Sequence, residues 1–497
     1  AGPRHLSRDE FAPMKGNAME KTTVIRNAAW VVAWNEATNV HHYLRDVDVA
    51  FAGNQITHVG GAYAGACDEE ISGRELMVMP GLINIHSHPT SEPLRKGITD
   101  ETLSPNFYHS SLYEYLTIFN NDEEGTPPCH KVAMAELLQS GCTTIVDYSM
   151  AFDGWLDLLA EAGIRACVAP SFREAPWYTK DGHLLEYDWS DKERGPQGFE
   201  TAKRTIDLAN QHPSGRLTGM LAPAQIDTLS GELLQQAHDY AEERNLPYQI
   251  HAAQSVNEFI EIVRRHGCTP IRWMDNLGIL TDRTIIGHGI FLDHHPWLHW
   301  STQDDLALLA ERGATVAHCP TVFMRRGIAL NTLGGYLKAG VNMGIGTDTY
   351  PHNLLDEMRN AGTVARAVAG TVADLKTSDV FDAVTIGGAK ALRRDDIGRL
   401  KVGAKADLVL VDLKAQAMRP VREPLRSLIF VAADRAIRDV YVDGLQVVRD
   451  GKCLTIDLDA ELEALEAAQQ RSMTRVPSID YAGRTAEELS PMVYDIN

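Results

Sequence analysis

The sequence predicts an α/β chain built on a (β/α)8 TIM barrel, and three observations carry that prediction. Apolar runs of strand length recur along the chain and end on histidine or aspartate. Amphipathic helical stretches alternate with them, the pattern of a parallel sheet covered by helices. From the first such terminus, His86, to the last, Asp348, lie about 260 residues, room for seven βα repeats of about 37 residues.

The elements follow in order. Pro80-Gly81-Leu82-Ile83-Asn84-Ile85-His86-Ser87-His88 is an apolar strand whose two imidazoles stand at i and i+2. Such residues share one face of a strand, so both rings can reach one ion beyond its end. Gly141-Cys142-Thr143-Thr144 opens the next strand. Ser230–Arg244 has helical spacing and leads into Leu246–His251; Ile285-Ile286-Gly287-His288 follows. Gln303–Arg312 is a further helix before the strand Ala314–His318, and Val341–Asp348 closes the series.

Both chain ends read as β-structure. Thr23–Trp34 is strand-like, and Asp46–Phe51 followed by Gly53-Asn54-Gln55-Ile56 is a hairpin signal. After the barrel come Ala406–Asp412 and two alternating runs around Asp443-Gly444, another hairpin signal. The tail turns helical, with Leu458, Leu462, Leu465 and Met473 on one stripe, and is expected to serve packing or dimer contact. Residues 1–21 mix Gly, Pro and charge without period and are expected to be a leader, a tag or disordered segment with a native start at Met19.

Composition sets limits. The 497 residues carry 47 basic and 67 acidic side chains, a net charge of −20 that argues against a nucleic-acid surface. No apolar run approaches the roughly 20 residues of a membrane span, and the start lacks a signal-peptide core. Seven scattered cysteines without a CxxC point to reduced thiols and a cytoplasmic location. The expected partner is a small molecule, with neither nucleic acid nor membrane.

One histidine after an apolar run is ordinary. Five metal-type residues in series (His86, His88, His251, His288 and Asp348), each at the end of a predicted strand, point to a borderline-soft divalent site with room for water. That is the chemistry of a metal-dependent hydrolase. A divalent ion would activate the water. His294, His295 and His299 form a second cluster, in a loop beside Asp293, and are expected at the surface or in a pocket wall.

These motifs, with Val316-Ala317-His318-Cys319-Pro320, Gly346-Thr347-Asp348 and Ile397–Leu408, resemble the amidohydrolase superfamily, in the branch of triazine hydrolases, chlorohydrolases and related aminohydrolases. The resemblance spans about residues 22–455. It implies a β-sandwich built from 22–80 and 396–455, a hydrolase barrel over 81–395, and a helical tail over 456–497. It further implies His86, His88, His251, His288 and Asp348 as metal ligands, Asp348 and His288 as catalytic groups, and a homodimer. No lysine occurs in Leu221–Ile226, where two-metal relatives carry a bridging one, so a single ion per chain is expected. Zinc is the expected metal, with iron, cobalt or manganese as alternatives.

The departures from the family bear on substrate. Deaminases of this branch place Glu three residues after the fifth-strand histidine; here Gln254 stands there and is expected to orient substrate. Ala224 occupies the place of a fourth-strand histidine, and Val322-Phe323 replaces a Ser-Asn pair. Phe107, Trp177, Phe323 and Tyr350 are expected to line an apolar pocket, with His318 beside it. The chain also resembles phenylurea and thiocarbamate hydrolases, although those carry Asn-x-His where this one has His86-Ser87-His88. The resulting expectation is hydrolysis of a C–N bond in an amide, urea or carbamate-like, ring-bearing molecule. Two alternatives stand beside it: a deaminase or chlorohydrolase acting on a heteroaromatic ring, and a non-catalytic binding module.

Overall fold

A computed structural model describes residues 21–496, so the leader expected over 1–21 lies almost wholly outside the described residues. Eight segments run parallel in chain order: β1 Leu82–Ser87, β2 Cys142–Ser149, β3 Arg165–Phe172, β4 Leu217–Gly219 with its continuation Ala222–Pro223, β5 Tyr248–Ala252, β6 Thr284–His288, β7 Thr315–His318 and β8 Asn342–Ile345. β1 to β4 form one arc and β5 to β8 another. Bridges Leu221↔Tyr248 and Gln225↔His251 join the arcs on one side. Ser87↔Asp348 joins them on the other, at the end of β1 and just beyond that of β8.

The strands read as apolar runs because both faces are covered. Ile83, Ile85, Val146, Tyr148, Cys167, Met220 and Ile285 pack together in one buried cluster, while a larger cluster includes Leu137, Leu234, Ile262, Leu309 and Met358 from the surrounding helices. Closure depends on glycine where β8 meets β1. A Cβ on Gly346 would lie 2.6 Å from the backbone oxygen of His86, so the chain can pass there only without a side chain. Asn84 secures the same seam: its Oδ1 accepts from the backbone N–H groups of His86 and Thr347, and its Nδ2 donates to Thr347 Oγ1 at 2.9 Å.

The two chain ends meet beside the barrel. In a seven-stranded sheet, Leu76–Pro80 pairs antiparallel with Leu408–Asp412, and the Ile437–Val442/Leu445–Arg449 hairpin turns at Asp443-Gly444. A four-stranded sheet of Gln55–Gly60, Val47–Ala52, Thr22–Ala28 and Glu69–Ser72 faces it. Ile25, Val31, Phe51, Val78, Leu410 and Tyr441 fill the layer between them, the core of a β-sandwich. Arg165, at the start of β3, reaches the sandwich through ion pairs with the buried Asp407 and the partly buried Asp443, each 2.8 Å long.

The tail helix Leu458–Ile479 packs along the helix Thr126–Gln139, with Leu465 and Ala468 set against Leu94, Cys129 and Val132. Leu462, one member of the predicted stripe, stays exposed.

A buried carboxyl on the helix Leu354–Ala369 gives a pH prediction. Burial raises the Glu357 carboxyl to about 8, opposed by the Thr321 N–H it accepts at 3.2 Å. Its folded pKa exceeds its unfolded one, so between about pH 4.5 and 8 the unfolded chain binds fewer protons than the folded one. Glu357 therefore contributes stability at low pH that is lost as pH rises through this window. Glu357→Gln should flatten that decline; denaturant midpoints at pH 5 and pH 8 that fall as steeply in the variant would refute it.

Candidate metal centre and active site

Four histidines and one aspartate converge where the C-terminal ends of β1, β5, β6 and β8 meet. His86 and His88 follow one face of β1, as their spacing predicts. His86 Nε2 lies 3.4 Å and His88 Nε2 3.2 Å from Asp348 Oδ1, and His288 Nε2 lies 3.8 Å from Asp348 Oδ2. His88 Nε2 stands 3.2 Å from His251 Nε2. Among the described residues, every group of three or more metal-type side chains with ligand atoms within 4.8 Å draws on these five.

The other ring nitrogens decide what these Nε2 atoms can do. His88 Nδ1 donates to the backbone oxygen of Tyr148 at 2.8 Å, and His251 Nδ1 to that of Ala224 at 2.6 Å. Carbonyl acceptors force the proton onto Nδ1 and leave Nε2 as a lone pair. Gln249 does the same for His86: its Nε2 donates to Ile85 O at 2.8 Å, so its Oε1 accepts from His86 Nδ1 at 3.2 Å. Three lone pairs thus point at one spot, and the buried His86 Nε2 has no hydrogen-bond partner among the described residues. Bare lone pairs 3.2 Å apart repel unless a cation stands among them. The donor set fits a divalent ion such as zinc, with the carbonyls of Tyr148 and Ala224 and the Gln249 amide fixing the rings.

The electrostatics agree for Asp348, His251 and His288; at His88 burial lowers the pKa, but the Asp348 carboxylate outweighs it and raises the imidazole above its ordinary value. Burial opposes the charge on Asp348, yet the imidazoles, His288 foremost, hold its carboxyl well below the usual carboxylate range. Burial first, then the neighbouring imidazoles, pushes His251 well below the ordinary histidine value, and burial takes His288 down to about 3. Both rings are neutral, the form that ligates metal. Backbone strain concentrates here too: His288 (φ 87°) and Asp348 (φ 58°) lie in the left-handed region.

Above the cluster opens a cavity of about 600 Å³, reached by His88, His251, His288 and Asp348. Of the predicted substrate contacts, Gln254, Trp177 and Phe323 stand in its wall, and the Phe323 ring packs 4.7 Å from that of His288. Phe107, His318 and Tyr350 do not. Phe107 is buried against Tyr113 and Trp177. Tyr350 turns aside to bond Thr99 Oγ1 at 2.9 Å under the Arg325 guanidinium. His318 is buried behind the wall, and burial pushes it down to about 4. Proximity to a barrel mouth does not fix which way a loop side chain turns.

Several residues escape sequence reasoning. Tyr148 on β2 packs its ring against His86, His88 and His251 at 4.8–5.5 Å and donates its hydroxyl to Pro223 O at 2.6 Å. Gln249 had a signal, a polar residue two before His251 in an apolar strand. Glu258 is buried under the β5 end and accepts from the N–H groups of Ala253 and Gln254; burial and the charge of Asp227 raise its carboxyl well above the usual value. Gln249→Leu should weaken metal affinity about 10- to 100-fold; competition against a metallochromic chelator reads this, and unchanged affinity would remove Gln249 from the account.

Residues 77–447 match the Amidohydrolase family, and the chain belongs to it. It is thus a hydrolase acting on carbon–nitrogen bonds other than peptide bonds. The chain is 28% identical to a 5-methylthioadenosine/S-adenosylhomocysteine deaminase of Nitratidesulfovibrio vulgaris, over 91% of this chain and 98% of that protein. It is 29% identical to a 5'-deoxyadenosine deaminase of Methanosphaera stadtmanae, over 80% and 89%. Among solved structures, a zinc-bound adenosine deaminase from Xanthomonas campestris superposes with a TM-score of 0.77 at 25% identity, over 91% and 98% of the two chains. A triazine hydrolase from Arthrobacter aurescens (TM-score 0.76, 21% identity, 90% and 100% covered) shares the fold. No helix among the described residues is long and apolar enough to cross a membrane.

Proposed function

We propose that His86, His88, His251, His288 and Asp348 hold one divalent ion per chain, zinc in the first instance. The enzyme would hydrolyse a C–N bond of an amide, urea or carbamate-like small molecule seated in the cavity. The observation that carries this reading is the convergence of the His86, His88 and His251 Nε2 lone pairs, the first two beside the Asp348 carboxylate, beneath the cavity. When bound, such an ion lowers the pKa of its water from about 15.7 to near 7 and polarises a C=O or C=N group.

The chain's own groups then divide the work. Asp348, kept ionised, takes a proton from the attacking water and returns it to the departing nitrogen, as the new C–O bond forms and the C–N bond breaks. His288, neutral, stands beside Asp348 to hydrogen-bond the water or the developing oxyanion. Gln254 is almost wholly buried in the cavity wall, and its Nε2 has no partner among the described residues. That amide suits a substrate carbonyl as acceptor, and it cannot act as an acid.

A second reading, deamination of a heteroaromatic ring, is favoured by the names of the similar relatives. The zinc-loaded protein, offered N-aryl amides, ureas, carbamates and amino-substituted purines and triazines, distinguishes the two. Release of a substituted amine supports the first reading, and ammonia from the ring compounds would replace it with the second. Hydrolysis of none would contradict both. A cytoplasmic homodimer is the setting we infer for this enzyme.

A further inference from the structure

The chain carries a net charge of −20, yet its cavity holds an excess of guanidinium. Five charged side chains other than histidine line it: Glu92, Arg95, Arg173, Arg326 and Asp348. Two of these neutralise each other, because Arg95 is paired with Glu92, whose other oxygen accepts from Thr349 Oγ1 at 2.7 Å. Asp348 belongs to the imidazole cluster. Arg173 and Arg326 remain, and neither forms an ion pair with a carboxylate among the described residues.

Arg173 stands immediately after β3, on the side of the cavity formed by Gln225 and Gln254. Its guanidinium has no hydrogen bond to any described group. A neighbouring carboxyl, Asp227, accepts from Trp177 Nε1 (2.9 Å) and Tyr187 OH (2.8 Å) through Oδ2 alone; its buried Oδ1 has no partner among the described residues, it forms no ion pair with Arg173, and burial raises its pKa. Arg326 donates to the backbone oxygens of Val322 (2.6 Å) and Thr99 (3.3 Å), while its Nε is buried without a partner. A guanidinium stays charged at any physiological pH and presents a planar fork suited to oxyanions. Both arginines are half-buried, and leaving a half-buried guanidinium without a counter-charge costs free energy that an anionic ligand would recover.

We propose that the substrate carries an oxyanion, a carboxylate or a phosphate ester, and that Arg173 binds it. This rests on the cavity being the substrate site. The anion would lie toward β3 and β4 while the scissile bond lies over Asp348. Arg173 thus selects acids from among ring-bearing amides and ureas.

Calorimetric binding to the zinc-loaded protein, with any hydrolysis of the probes followed on the same samples, tests this. The probes are N-benzoylglycine, its neutral glycinamide counterpart and phenyl phosphate. The acid should bind about 10- to 100-fold more tightly than the neutral amide, the worth of a charge-assisted contact. Arg173→Gln should erase most of that preference, and Arg173→Lys should restore part of it. Tighter binding of phenyl phosphate than of the acid would assign the phosphate source, and the reverse the carboxylate. Equal affinity for acid and amide, or no binding of either anion, would overturn the proposal. So would an acid preference that survives in Arg173→Gln, because the anion would then be captured at the metal alone. A panel that shows no hydrolysis, beside an Arg173-dependent acid preference, would reject the assigned reaction and leave the anion site standing.

Discussion

Asp348→Asn should lower kcat about 10²- to 10⁴-fold, the range for loss of a positioned general base. The substitution keeps the shape of the side chain and removes its charge. Asp348 alone touches His86, His88 and His288, and its backbone N–H is held by His86 O at 2.9 Å, so the strand seam should survive. The variant should therefore melt within a few degrees of the parent while turning over almost no substrate. Metal content must be read on the same sample, because the carboxylate is also a proposed ligand. A variant that keeps its metal and more than a tenth of its activity would show that the proton is carried by another group.

Arg165→Met should cost about 3–5 kcal/mol of stability, the largest structural effect expected in the molecule. Arg165 is buried, and its Nε and Nη2 donate to both oxygens of Asp407, with Nη2 also reaching Asp443. Removing the cation strands two carboxylates between the barrel and the sandwich. Asp407 also receives the Asp443 N–H at 2.7 Å, so the loss should spread into the C-terminal hairpin. Urea unfolding of the metal-loaded protein measures the effect; a midpoint unchanged from the parent would mean that water reaches the pair and screens it.

The barrel was legible because its strands are buried on both faces and each ends on a chemically distinctive residue. The i, i+2 pair His86 and His88 gave the face of β1, and the other ligand candidates fell at equivalent strand ends. What sequence could not supply was lateral neighbourhood. The carbonyls of Tyr148 and Ala224 that set the tautomers of His88 and His251 belong to β2 and β4, and only strand register brings them into line. Gln249 marked itself by polarity in an apolar strand, yet its partner His86 is 163 residues away. The aromatics misled for a related reason. Phe107, on a loop over the barrel, satisfies its apolar surface against Tyr113 and Trp177.

The most direct test of the central claim is the metal content of the purified protein and of His251→Ala, by elemental mass spectrometry. His251 supplies one of three converging lone pairs, and its loss should leave Asp348 and the β1 imidazoles unable to retain the ion. About one divalent ion per chain is expected in the parent and a stoichiometry near zero in the variant, with both folded. Two ions per chain, an undiminished ion in His251→Ala, or no ion after reconstitution with zinc would contradict that claim.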